Sequence, residues 1–114
     1  MDIFMWILQG FLALVFVFAG LGKIFGTQMQ KDTFTHLKLP QWFRVITGLV
    51  ETVAVVFLIV GYWYGEYVFW GAILVTAVGL GGVIAHMRVN DSGKAFAPIA
   101  ILGLIGLVLA SISF

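Results

Sequence analysis

The chain has 114 residues, of which 62% are hydrophobic and only 10% are charged, and its formal net charge is +1. A soluble domain carries about 25% charged residues, so this composition is typical of an integral membrane protein. The net charge gives no basic patch with which to bind nucleic acid. Cysteine is absent, which excludes disulfides, dithiol chemistry and thiolate metal sites.

Four apolar stretches are long enough to cross a bilayer, which requires about 20 residues per helix. A long polar segment at 27–41, an aromatic turn at 61–66 and a polar loop at 88–94 separate them. We therefore predict one transmembrane domain over 1–114, an all-α, integral membrane four-helix bundle. The N-terminus lacks a basic segment and a small-residue cleavage motif, so we expect the first stretch to be retained. The predicted helices cover approximately 3–25, 43–62, 67–87 and 95–114.

The basic residues predict how the helices cross the membrane. All six flank the first and third loops, and none flanks the second. By the positive-inside rule, loops 27–41 and 88–94 are cytoplasmic and both termini lie outside a cell membrane. Met29, Phe34 and Leu37 in the first loop indicate a short interfacial helix. The six basic residues are Lys23, Lys31, Lys38, Lys94 and two expected interfacial anchors, Arg44 and Arg88.

One carboxylate, Glu51, lies inside the second apolar stretch, in the run TGLVETVAVVFL. An acidic residue at the centre of a membrane helix costs on the order of 3 kcal/mol. The large apolar residues of the same helix return about 3–5 kcal/mol in total, so the helix can insert. Insertion does not explain why the carboxylate is present. Protonating it at pH 7 costs about 3.7 kcal/mol, and keeping it ionised requires a partner or water.

Helix geometry supplies candidate partners for this carboxylate, because side chains lean toward the N-terminus of their own helix. Helices one and three run toward the basic side, and helix two runs away from it. The side chains of Lys23, Glu51 and His86 should therefore reach a similar depth in the membrane. Thr47 lies one turn before Glu51 on the same face. We therefore predict a polar, ligand-binding pocket formed by Lys23, Thr47, Glu51 and His86. The alternative is a structural ion pair that clamps helices one and two, with His86 at the interface and Lys23 extended to the surface.

No metal site or catalytic group is predicted. One His, one Lys and one Glu make a poor metal site, because a closed site needs about four ligands. No phosphate-binding loop and no nucleophile beside a base is present, so catalytic residues stay unknown and enzyme activity stays open. Small residues four positions apart, such as Gly22 and Gly26, predict close helix packing.

Several short motifs resemble the DoxX and DoxX-like family of small four-helix membrane proteins. The resemblance implies a bundle in a bacterial cytoplasmic membrane, with Lys23, Glu51 and His86 at the family's recurrent polar positions. Some members are linked to a thiosulfate:quinone oxidoreductase, and others to membrane complexes that handle oxidative stress. The motifs are FAGLGK (18–23), LPQW (39–42), GLVE (48–51), the terminal His86 of the third helix, and AP (97–98).

Three functions follow from these observations. The first is an accessory or binding component of the lipid bilayer that holds a quinone, a lipid or a partner membrane protein, or that self-associates as a homo-oligomer. The second is a quinone-side or scaffolding subunit of a membrane redox enzyme, because a chain without cysteine cannot itself carry a persulfide. The third is a proton-coupled small-molecule transporter, which ranks last because the six-to-zero charge bias opposes dual insertion. The accessory role is favoured.

Overall fold

A computed structural model describes residues 2–114, and within them the chain forms five helices and no strand. Four of these helices are long and apolar enough to cross a membrane, with mean hydropathies of 2.1 to 2.5. The prediction of an all-α, four-helix membrane bundle is confirmed, and the chain is a multi-pass membrane protein. The helices are α1 (Asp2–Phe25), α2 (Gln28–His36), α3 (Gln41–Val60), α4 (Glu66–Arg88) and α5 (Gly93–Ser113).

The four long helices form a closed ring. α1 packs on α3 and α5, and α4 packs on the same two helices from the other side. Neighbours in the ring α1–α3–α4–α5 are therefore antiparallel. This arrangement brings the ends of α1 and α4 beside the starts of α3 and α5. That end of the bundle, which also carries α2 and all six Lys and Arg residues, is called the basic end below.

Glycines bring the helices into direct contact at two crossings. A Cβ added at Gly48 of α3 would lie 2.7 Å from the carbonyl oxygen of Gly20 in α1. A Cβ added at Gly79 of α4 would lie 2.6 Å from the Cα of Gly103 in α5. In lipid, where apolar burial provides little driving force, such close backbone contact supplies the packing energy. The chain thus pairs α1 with α3 and α4 with α5.

The apolar core fills the middle of the bundle and the half opposite the basic end. The core side chains come from the middle of α1, the second half of α3, the first half of α4 and the last turns of α5. Tight packing there leaves the basic half of the ring as the place where a cavity can form. The fully buried core residues include Leu12, Phe16, Leu58, Val68, Val75 and Leu109.

A buried glutamine closes the far end of the core. The amide nitrogen of Gln9 donates to the carbonyl oxygen of Leu58, at 2.6 Å. That carbonyl lacks its usual helical donor because the Tyr62 amide donates to Ile59 instead, as α3 ends. The Tyr62 hydroxyl in turn donates to the carbonyl of Trp6, at 2.8 Å. Both bonds join the end of α3 to α1.

The short helix α2 crosses the basic end, in the segment where the sequence indicates an interfacial helix. Gly26 has a φ of +73°, which lets the chain turn sharply after α1. The Thr27 side chain then caps α2 by accepting from the Gln30 amide, at 3.4 Å. Phe34 and Leu37 are buried, 5% exposed each, against the bundle. Their burial holds α2 as a cover over this end.

Candidate functional site

A partly open cavity of about 420 Å³ lies at the basic end, beneath α2 and mainly between α3 and α4. Its volume is within the range of about 300–1,000 Å³ typical of small-molecule sites. Four of the α4 residues that line it are small. These residues are Ala77, Gly81, Gly82 and Ala85. Phe34 of α2 and Leu37, directly after α2, line the covering side.

All four residues of the predicted pocket line this cavity: Lys23 of α1, Thr47 and Glu51 of α3, and His86 of α4. The Lys23 Nζ lies 3.0 Å from Oε1 of Glu51, and the two side chains are 14% and 1% exposed. At this distance the ammonium of Lys23 and Oε1 of Glu51 form a close ion pair. A carboxylate has about four lone-pair sites, so this one contact leaves it with further hydrogen-bonding capacity.

Arg44 holds the end of α1 that carries Lys23. The sequence suggests an interfacial anchor, but the Arg44 side chain is buried, with 8% exposure. Its Nη1 donates to the carbonyl oxygen of Lys23, and its Nε donates to Oε1 of Gln41, at 2.8 Å. The Lys23 carbonyl belongs to the last turn of α1, where carbonyls lack helical donors. Arg44 thus fixes the end of α1, and with it the position of Lys23.

His86 takes a partner that the sequence did not suggest. Its Nδ1 lies 2.6 Å from Oδ2 of Asp91, in the loop between α4 and α5. The other carboxylate oxygen, Oδ1, lies 2.7 Å from Nε2 of His36, at the end of α2. Hydrogen bonds from His86 and His36 hold the pKa of the Asp91 carboxyl below its ordinary value. His36, Asp91 and His86 together are called the His–Asp–His cluster below.

A second arginine joins α2 to the same end of α4. The Arg88 Nη2 donates to the carbonyl oxygens of Leu37, at 2.7 Å, and Lys38, at 3.3 Å. With the His–Asp–His cluster, this contact fastens the cover of the cavity to the α4–α5 loop. Sequence reasoning missed both connections, since they join segments about 50 residues apart.

The arrangement suits an uncharged, lipophilic molecule with a polar head. Glu51 neutralises Lys23, and Asp91 offsets any charge on His86. Both basic groups that line the cavity therefore have a counter-charge. Most other lining residues are apolar. Among the described residues, no group of three or more His, Cys, Asp or Glu side chains is arranged to hold a metal ion.

Comparison with known proteins identifies a family. The model of the DoxX-like family matches residues 7–110, nearly the whole chain. No curated protein and no solved structure matches the chain.

Proposed function

We propose that this chain, which belongs to the DoxX-like family, is a membrane protein that binds a quinone or a similar lipophilic molecule in the cavity at the basic end. The observation that carries the proposal is the Lys23–Glu51 pair in the wall of a largely apolar cavity. Apolar walls with a few converging polar groups are the usual composition of a small-molecule site. The other polar side chains of the wall are those of Gln30, Thr33, Thr47 and His86.

A purely structural pair explains less of this arrangement. Replacing a buried ion pair by apolar residues is often neutral or stabilising, so stability alone is a weak reason to keep one. A clamp between α1 and α3 also does not require open space next to it. At Gly81, a Cβ would meet nothing within 4 Å, so α4 holds the volume open at that position. Both features are expected of a binding site.

The ligand content of the purified protein distinguishes a binding site from a purely structural ion pair, called the clamp here. Lipophilic molecules are extracted from the purified protein and identified by mass spectrometry for the wild type, Glu51→Gln and Glu66→Gln. Glu66 is the matched control because it is exposed at the start of α4, at the opposite end of the bundle. We expect a stoichiometric quinone or lipid in the wild type and in Glu66→Gln, and its loss in Glu51→Gln. An unchanged ligand content with lower stability in Glu51→Gln would favour the clamp.

One observation favours a role beside a redox enzyme. The His–Asp–His cluster leads from the cavity, at His86, to His36, whose side chain is 59% exposed. A quinone site exchanges protons with water, and imidazole and carboxylate groups can pass them. As an accessory or quinone-side subunit, the chain would copurify with a partner membrane protein that carries the electron donor. Copurification of no other protein under mild detergent conditions would argue against this role.

We infer that the basic end faces the cytoplasm of a bacterial cell and that both termini face outward, because all six Lys and Arg residues lie at one end. The absence of cysteine allows a direct test with single-cysteine variants. Gly65→Cys and Gly93→Cys report opposite ends, and at both positions an added Cβ meets nothing within 4 Å. An impermeant thiol reagent added to intact cells should label Gly65→Cys and leave Gly93→Cys unlabelled. The reverse pattern would contradict the orientation.

A further inference from the structure

The polar groups of the cavity wall are mainly hydrogen-bond acceptors. The Thr33 hydroxyl donates to the carbonyl of the preceding turn, at 2.9 Å, and the Thr47 hydroxyl does the same, at 2.8 Å. A hydroxyl has one hydrogen and two lone pairs, so each of these side chains can only accept from a ligand. The Glu51 carboxylate is likewise an acceptor, and its contact with Lys23 occupies only part of its lone-pair capacity. The donors in the wall are the Lys23 ammonium, which faces Glu51, and the Gln30 amide.

Asp91 decides the hydrogen-bonding character of His86. The lowered pKa of Asp91 keeps its carboxyl ionised, so it accepts and the imidazoles donate. His86 therefore uses its Nδ1–H on Asp91, at 2.6 Å. A neutral imidazole with hydrogen on Nδ1 has a free lone pair on Nε2. Nε2 is the ring nitrogen that stays available, and His86, but not Asp91, lines the cavity.

We propose that Asp91 is a positioning residue that sets the ligand preference of the cavity. By holding the Nδ1–H of His86, it presents Nε2 as an acceptor in a wall already rich in acceptors. The site then favours a head group that donates hydrogen bonds, such as the hydroxyls of a hydroquinone, over one that only accepts, such as a quinone or an ether. This inference rests on the proposed function, because it specifies the ligand of the same cavity.

The tautomer of His86 is measurable without any ligand. The chain contains only two histidines, so ¹⁵N-histidine NMR of the intact protein in micelles at pH 8 resolves both rings, and His36→Gln assigns them. We expect protonated Nδ1 and unprotonated Nε2 for His86. Asp91→Asn, whose amide can donate to Nδ1, should move the hydrogen to Nε2. Asp32→Asn is the matched control, because Asp32 is exposed on α2 and contacts Gln28. A wild-type His86 with hydrogen on Nε2 would overturn the proposal.

Ligand preference is tested with a decyl-substituted hydroquinone and its dimethyl ether, a pair of similar shape that differs in donors. Under anaerobic conditions, the wild type and Asp32→Asn should bind the hydroquinone roughly threefold to tenfold more tightly than the ether, the value of one hydrogen bond. Asp91→Asn should lose this preference while still binding both. Equal wild-type affinity for the two probes would overturn the inference and leave the proposed function standing. Binding of neither probe by the wild type would overturn the proposed function itself.

Discussion

We predict that the two members of the Lys23–Glu51 pair contribute unequally to stability when each is replaced alone. Lys23→Met leaves the Glu51 carboxylate, 1% exposed, without its counter-charge. Glu51→Gln leaves the Lys23 ammonium, 14% exposed and in the last turn of α1, close to the basic end. A long lysine side chain can extend toward water, whereas the buried carboxylate cannot. The lysine variant should therefore lose more stability than the glutamine variant.

The magnitudes follow from the geometry. At 3.0 Å and an effective dielectric constant of about 20, the attraction between the two charges is about 5–6 kcal/mol before desolvation. Without the Lys23 ammonium, protonating the carboxyl at pH 7 costs about 3.7 kcal/mol, so Lys23→Met should lose about 3–4 kcal/mol. Glu51→Gln should lose about 1–2 kcal/mol, because the ammonium that it leaves can reach water. The double variant should lose at least about 2 kcal/mol less than the sum of the single losses.

The assay is reversible unfolding by SDS in mixed micelles, read as the apparent free energy of unfolding for the wild type, both single variants and the double variant. Lys94→Met and Glu66→Gln are the controls, because both side chains are exposed. At pH 5 the loss in Lys23→Met should fall to about 1 kcal/mol, since protonation is then cheap. Equal losses in the two single variants that add in the double variant would refute the reasoning.

Three further predictions concern positions outside the ion pair. Gly79→Ala should lose about 1–3 kcal/mol of unfolding free energy, because the added Cβ would lie 2.6 Å from the Cα of Gly103. Gly81→Ala should change stability little, because a Cβ there meets nothing within 4 Å. Gln9→Leu should lose about 1–3 kcal/mol by leaving a buried carbonyl of α3 without a donor, as the same SDS assay would show. The contribution of Asp91 to the stability of the folded protein should be complete above the ordinary carboxyl pKa of 3.8. It should decline as the pH falls through the lowered pKa of Asp91, because protonation removes the hydrogen-bond acceptor. Thermal unfolding scans from pH 6 to 2 should therefore show a steeper loss in the wild type than in Asp91→Asn, and parallel curves would contradict this.

The residues of the cavity wall illustrate how far sequence reasoning extends. Glu51 is conspicuous as an acid within an apolar helix, and the antiparallel helices place Lys23 at a similar depth. His86 was assigned to the same pocket, and it lines the cavity. Its contact with Asp91 was not anticipated, because Asp91 lies in a polar loop and resembles an ordinary solvated residue. That the wall binds a ligand stays a proposal until ligand content is measured.

The small-residue pairs give a mixed outcome. Gly48 and Thr52, four positions apart on α3, both lie against Gly20 of α1, whereas Gly22 and Gly26 meet only side chains. At the other close crossing, Gly79 of α4 meets Gly103 of α5. A small-residue pair within one helix does not identify the helix that it will meet. The rotation of each helix about its axis sets the crossing.

The sequence by itself determined that this chain spans a membrane with four helices, because bilayer insertion depends on hydropathy summed along each segment. It also determined that charge is concentrated at one end and that a single acid lies in the second span. The tertiary structure decided the cover formed by α2, the cavity beneath it and the link from His86 through Asp91 to His36. These features depend on the rotation, depth and crossing of the helices, which packing between distant segments sets and local sequence does not encode.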